Sequence, residues 1–149
     1  MLDVVLAYAH HLAVFGLVGI LFAQFVLVKP GLTGARLTQV AGIDRAYGIF
    51  AILVVIAGVT RVYLGSAGEA YYFSNHVFWT KIALFILVGL LSIGPTMAIV
   101  KWRKAAAADG QYVVPDDAIR GARRWMHIEL FVLALIPLAA AAMARGVGL

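Results

Sequence analysis

Residues 4–28, VVLAYAHHLAVFGLVGILFAQFVLV, form a run without Lys, Arg, Asp or Glu. At about 1.5 Å of rise per residue, a helix of this run is roughly 37 Å long, enough to cross a bilayer core of about 30 Å with some tilt. Two adjacent imidazoles, His10 and His11, stand inside it, about 9–10 Å along the axis from Val4. An ionisable group at such depth is costly and marks a functional site by default.

Three further apolar runs lie at about 47–64, 77–100 and 125–144, each close to the ~20 residues a crossing needs. The hydrophobic fraction is 64% and the mean hydropathy +0.97, against roughly 45–50% apolar residues in soluble domains. These features predict an all-α fold: one four-span integral membrane domain over residues 1–149, packed as an antiparallel four-helix bundle. Gly16, Gly19, Gly48, Gly58 and Gly89 are the expected points of close helix approach. Pro30-Gly31 and Gly34 predict a turn and a short amphipathic stretch before the second span, and residues 104–118 the longest and most mobile loop.

Nine of the twelve Lys and Arg residues fall in the first and third connections: Lys29, Arg36, Arg45, Lys101, Arg103, Lys104, Arg120, Arg123 and Arg124. The positive-inside rule then places those connections in the cytoplasm and both termini in the periplasm of a bacterial inner membrane. Trp102 and Trp125 are expected at one interface, and Tyr63, Tyr71, Tyr72 and Trp79 at the other. The net charge of +5 is thereby spent on topology and lipid headgroups, with no patch suited to nucleic acid. The chain has no cysteine, which excludes disulfides, thiolate metal sites and cysteine nucleophiles. The N-terminal run lacks a basic leader and is too long for a signal peptide.

Sorted by depth, the polar groups of the spans form two layers. The outer layer holds His10, His11, Arg61, Lys81 and Arg145, with Glu69 in the outer loop as the only carboxylate expected near it. Uncompensated positive charge beside an imidazole calls for an anionic guest. The plainer reading is that Arg61, Arg145 and Lys81 snorkel to headgroups and that His10 bonds a neighbouring helix. The inner layer holds Gln24, Asp44, Arg45, Arg123, Arg124, His127 and Glu129, where Asp44 or Glu129 can pair with Arg45 or Arg124. Adjacent helical residues diverge by about 100°, so only one histidine faces a shared site. The His10 face carries Val14, Leu17, Leu21 and Gln24, whereas the His11 face is the apolar stripe Phe15, Val18, Phe22 and Phe25. His10 is therefore the inward residue. Lys81 shares a sector with Ser92 and Thr96.

Haem b suits the outer layer: it is flat and largely apolar, takes an imidazole on iron, and carries propionates for Arg or Lys. His10 is the candidate metal ligand, and Arg61, Lys81 and Arg145 are the candidate cofactor-binding cations. Lys81 is alternatively a sixth ligand or a catalytic proton-transfer group. His127 lies roughly 20 Å or more away by helix rise and cannot share the group.

The runs Tyr8-Ala9-His10, with Gly19 following, and Phe78-Trp79-Thr80-Lys81-Ile82-Ala83-Leu84 resemble a superfamily of small bacterial membrane proteins. It includes the haem-containing protoporphyrinogen oxidase of the HemJ type and the CopD-like copper-resistance proteins. Nearly the whole chain is similar to an uncharacterised four-span bacterial inner-membrane family. The resemblance rests on Asp44-Arg45-Ala46-Tyr47-Gly48, Phe78-Trp79-Thr80-Lys81, Ser92-Ile93-Gly94-Pro95-Thr96 and Met143-Ala144-Arg145-Gly146. The oxidase resemblance implies a haem histidine at His10 and an important lysine at Lys81. The chain departs from that pattern with His11 in place of an aliphatic residue and with Lys29-Pro30 after the first span. Copper transport is disfavoured, since four methionines are the only sulfurs.

The expectation is thus a redox-associated membrane protein that binds haem b or a related porphyrin. The alternative is a non-enzymatic accessory or assembly protein whose outer cationic layer holds anionic lipid or a partner helix, with the His11 stripe facing the partner, a membrane subunit or a second copy of the chain.

Overall fold

A computed structural model describes residues 1–148. Five helices follow in chain order: α1 (Leu2–Leu27), α2 (Gly34–Leu64), α3 (Gly68–Ser74), α4 (His76–Ala108) and α5 (Asp116–Ala144). Four of them are long and apolar enough to cross a membrane, and α3 is a single short helix between two of those. The chain is an all-α membrane bundle. Helix α1 pairs along its length with α2, and α4 with α5. The two hairpins then join along α2/α4 and α1/α5. Both described chain ends lie at one end of the bundle, here called the terminal end. The basic connections lie at the other.

The helices outrun the apolar spans at the basic end. Helix α2 begins thirteen residues before the expected span, because its polar stretch still presents Leu37, Val40 and Ala41 to a core. Helix α4 continues through Lys101 to Lys104 into an alanine run, with Ile99 and Trp102 buried. These extensions build a second core, in which Val28, Leu32, Leu37, Val40, Ile99, Trp102, Val114, Ile119 and Met126 pack together. The first core, around Leu17, Leu21, Tyr47, Val54, Val88, Val132 and Leu133, fills the bundle middle.

Three expectations need correction. The connection between α4 and α5 shrinks to residues 109–115 and is pinned down. Val114 donates its N–H to the Leu32 carbonyl (3.1 Å), Thr33 and Val113 form an antiparallel bridge, and the Val114 side chain is buried. Trp102 is not an interface residue, being only 4% exposed, because the extended helices enclose it; Trp125, at 50%, does face outward. Small residues also act differently from one another. Gly16 admits the ring of Phe50, and Gly58 admits His10, but a Cβ at Gly19, Gly48 or Gly89 would meet nothing within 4 Å.

Residues of one helix hold the ends of another. Arg123 of α5 donates from Nη1 to the carbonyls of Phe25 and Val28, both at 2.7 Å, and lies over the Phe25 ring at 4.1 Å. It thus neutralises the negative end of α1 and satisfies carbonyls that the helix leaves free. At the terminal end Asn75 is wholly buried. Its Oδ1 accepts from Val77 N–H (2.8 Å) and Phe78 N–H (3.3 Å), and its Nδ2 donates to the Val147 carbonyl. The chain after α5 is thereby folded onto the start of α4.

Candidate functional site

The buried residues of α1 are Ala13, Leu17, Leu21 and Gln24, the stripe continuous with His10. On the opposite stripe Phe15 and Phe22 are 71% and 58% exposed. His10 is half-buried and faces α2, where Gly58 makes room for it. A Cβ at position 58 would stand 3.4 Å from Cε1 and 3.6 Å from Nδ1 of the imidazole. His11 is exposed and donates through Nδ1 to the Ala7 carbonyl at 2.6 Å, a bond within its own helix. The two rings meet edge to face, 6.1 Å apart.

Among the described residues, two buried side-chain nitrogens find no hydrogen-bond partner: Nδ1 of His10 and Nε of Arg61. An orphaned buried polar group costs about 1–3 kcal/mol, and native structures retain few of them. Arg61 follows Gly58 by three residues, on the neighbouring strip of α2. Lys81 of α4 is half-buried, its Nζ 5.8 Å from the centre of the Phe78 ring. The charges acting on His10 are those of Arg61, His11 and Lys81, and Arg61 also acts on Lys81. Every one of these charged neighbours is basic, and the backbone of Val54 on α2 also lies close enough to act on the His10 ring, although not in good hydrogen-bond geometry with Nδ1. The structure therefore brings His10, Arg61 and Lys81 from three helices into one neighbourhood. Arg145 stands apart from it, exposed at the end of α5, with Nη1 donating to the Ala141 carbonyl.

The sequence reading passed over Asp3, seven residues and two turns before His10. Its Oδ1 accepts from the Ser66 N–H at 3.2 Å and ties the start of α1 to the turn after α2. The i, i+7 spacing on a helix was the available signal. Glu69 is exposed.

Paired charges were expected in the opposite layer; neutral partners occupy it instead. Asp44 Oδ1 accepts from Gln24 Nε2 (2.8 Å) and from Thr96 Oγ1 (2.9 Å). Glu129 is 1% exposed, and its Oε1 accepts from the Tyr47 hydroxyl at 2.5 Å. All four long helices contribute to this layer. Arg45 and Arg124 stay exposed. Gly58 lies fourteen residues beyond Asp44 on α2, so the two layers are about 21 Å apart.

An imidazole nitrogen without a partner can bind iron, and a guanidinium N–H without one can receive a carboxylate. The family described as predicted membrane protein (DUF2214) matches residues 2–148. No curated protein and no solved structure matches the chain.

Proposed function

The chain belongs to the DUF2214 family of predicted membrane proteins, and from that premise we propose that it binds haem b, or a related porphyrin, for a redox role at the terminal end of the bundle. The observation that carries this reading is the coincidence of the two orphaned nitrogens, His10 Nδ1 and Arg61 Nε, in one basic neighbourhood. The likeness of the His10 and Lys81 segments to the HemJ-type oxidase points the same way.

In this reading His10 would hold the iron, from a place beside Gly58 on α2. Arg61 and Lys81, both half-buried, would hold the propionates through charge-assisted contacts. Arg145, at the rim, would serve the same carboxylates only by leaving Ala141. The bound group supplies one-electron chemistry. If a porphyrin is itself the substrate, Lys81 is the side chain placed to carry a proton, and its exchange for Ala lowers turnover more than binding. By the positive-inside rule the site lies in the periplasmic half of a bacterial inner membrane.

The test is an absorption spectrum of protein purified in mild detergent after haem is supplied. A stoichiometric Soret band, lost in His10→Ala but kept in His11→Ala, is the expected result. A band that survives His10→Ala overturns the proposal. The same cations and the exposed Phe15–Phe22 stripe suit an accessory protein that holds an anionic lipid or a partner helix. Native mass spectrometry separates the two, since retained phosphatidylglycerol or a copurifying subunit without a chromophore favours the accessory role.

A further inference from the structure

Glu129 follows the exposed Trp125 by one helical turn, about 6 Å further into the bilayer. It shares the buried face of α5 with Met126, Val132 and Leu133. It is 1% exposed, and its one recorded hydrogen bond comes from Tyr47. An ionised carboxylate in such a place needs a cation beside it.

None of the four long helices supplies one. Helix α1 has no charged residue after His11, and the polar group it brings to this layer is Gln24, which donates to Asp44. Helix α4 has none between Lys81 and Lys101, and it brings Thr96, also bonded to Asp44. Helix α2 carries Asp44, Arg45 and Tyr47 here, and α5 carries Arg123, Arg124 and His127. Arg45, Arg124 and His127 are exposed, and Arg123 is held by the Phe25 and Val28 carbonyls. The charge that acts on Glu129 is that of Asp44, which has the same sign. A buried carboxyl group without a cation escapes the cost of its charge by keeping a proton.

Tyr47 connects this carboxyl group with a cleft of about 330 Å³ between α2 and α4. The residue lines the cleft beside Asp44, Arg45 and Gly48, while its hydroxyl donates to Glu129 Oε1 at 2.5 Å. A hydroxyl accepts as well as donates, so it can pass a proton on and regain one. The cleft has room for several waters of about 30 Å³ each. Ser92 and Thr96 line it too. Gly94, between them in the chain, lies against the Trp125 indole, 3.9 Å from a Cβ built there. Such a tryptophan marks the headgroup boundary, where water is at hand.

We infer that Glu129 is a proton-binding site inside the bundle, occupied at neutral pH and loaded through Tyr47 from the side of the cleft. In loading, the Tyr47 hydroxyl gives its proton to the Glu129 carboxylate while its oxygen takes one from a hydrated proton in the cleft. One proton moves inward, and the tyrosine ends as it began. The site lies about 21 Å from the His10 layer and does not depend on the haem proposal.

The chain has two glutamates, and the other, Glu69, is exposed. Glutamate labelled with a heavy carbon isotope at its side-chain carboxyl therefore reports on Glu129 without any substitution. Infrared spectra of the labelled protein in lipid nanodiscs at neutral pH should show a carboxylic-acid C=O band that moves with the label. The band should be lost in Glu129→Gln and kept in Glu69→Gln. Heavy water should shift it as the proton exchanges. Tyr47→Phe should keep the band and slow that exchange about a hundredfold, the loss expected when a positioned proton-transfer group is removed. A label seen only in carboxylate bands overturns the inference, and this reading needs no variant to fold. So does a label-sensitive acid band that survives Glu129→Gln. Exchange at the wild-type rate in Tyr47→Phe overturns loading through the tyrosine.

Discussion

The imidazole of His10 leans on Gly58, its Cε1 3.4 Å from the point where a side chain at that position would begin. At that distance a methyl group would only touch the ring, so alanine fits at position 58 and a larger side chain does not. Gly58→Leu places four carbons on that spot. Overpacking of this kind costs about 1–3 kcal/mol, and the ring must move. The expected outcome is a lower thermal midpoint in detergent together with loss of the haem Soret band, while Gly19→Leu, facing open space, changes neither.

Arg61 carries a buried N–H without a partner, so the ligand-free protein bears a cost that a ligand would relieve. Arg61→Met should leave the thermal midpoint of the ligand-free protein unchanged or higher. It should weaken haem binding about tenfold or more, because a charge-assisted bond is lost. Differential scanning of the apo form beside a Soret titration reads both. A midpoint that falls by many degrees would show that Arg61 holds the fold instead.

Tyr47→Phe removes the hydroxyl that satisfies Glu129 Oε1. A buried carboxyl group stripped of its donor costs about 1–3 kcal/mol or more. Glu129→Gln keeps an acceptor for Tyr47 and should cost less. The double variant Tyr47→Phe/Glu129→Leu should recover part of the loss, since an apolar pair leaves nothing unsatisfied. Chemical unfolding in mixed micelles gives the three values.

Arg123 grips the end of α1 through two carbonyls and the Phe25 ring. Arg123→Lys keeps the charge but loses the planar fork and its stacking. A loss of about 1–3 kcal/mol follows from the charge-assisted bonds, with a further ~0.5–2 kcal/mol from the ring contact. Proteolysis near Lys29 should rise in the variant, as α1 frays.

The Val114 amide is bonded and its side chain is buried. Hydrogen exchange should therefore be slow at Val114 and fast at Gly110, which is exposed. Equal rates would restore the mobile connection that its length and composition first suggested.

Much of this was legible in advance. Unbroken apolar runs fixed the number of crossings, and alternating short connections fixed their antiparallel order. A 3.6-residue period told His10 from His11, because a helix has one buried face whatever its partner. The same reading failed at Trp102, which a linear pattern places at an interface while the helical extensions enclose it. It failed at Asp44 and Glu129, whose nearest opposite charges in the sequence are not their partners in space. It also treated five glycines alike, though Gly16 and Gly58 receive side chains while Gly48 and Gly89 border a void.

Taken alone, then, the amino-acid order determined the class of fold, the spans and the face each helix buries. Those follow from hydropathy and from the geometry of a single helix. Only the tertiary structure decided that Gly58 meets His10, that Tyr47 reaches Glu129, and that α2 and α4 part around a cleft. These depend on how far apart helices sit and how each is rotated against its neighbours. Such distances are set by the packing of many side chains at once, and no one segment encodes them.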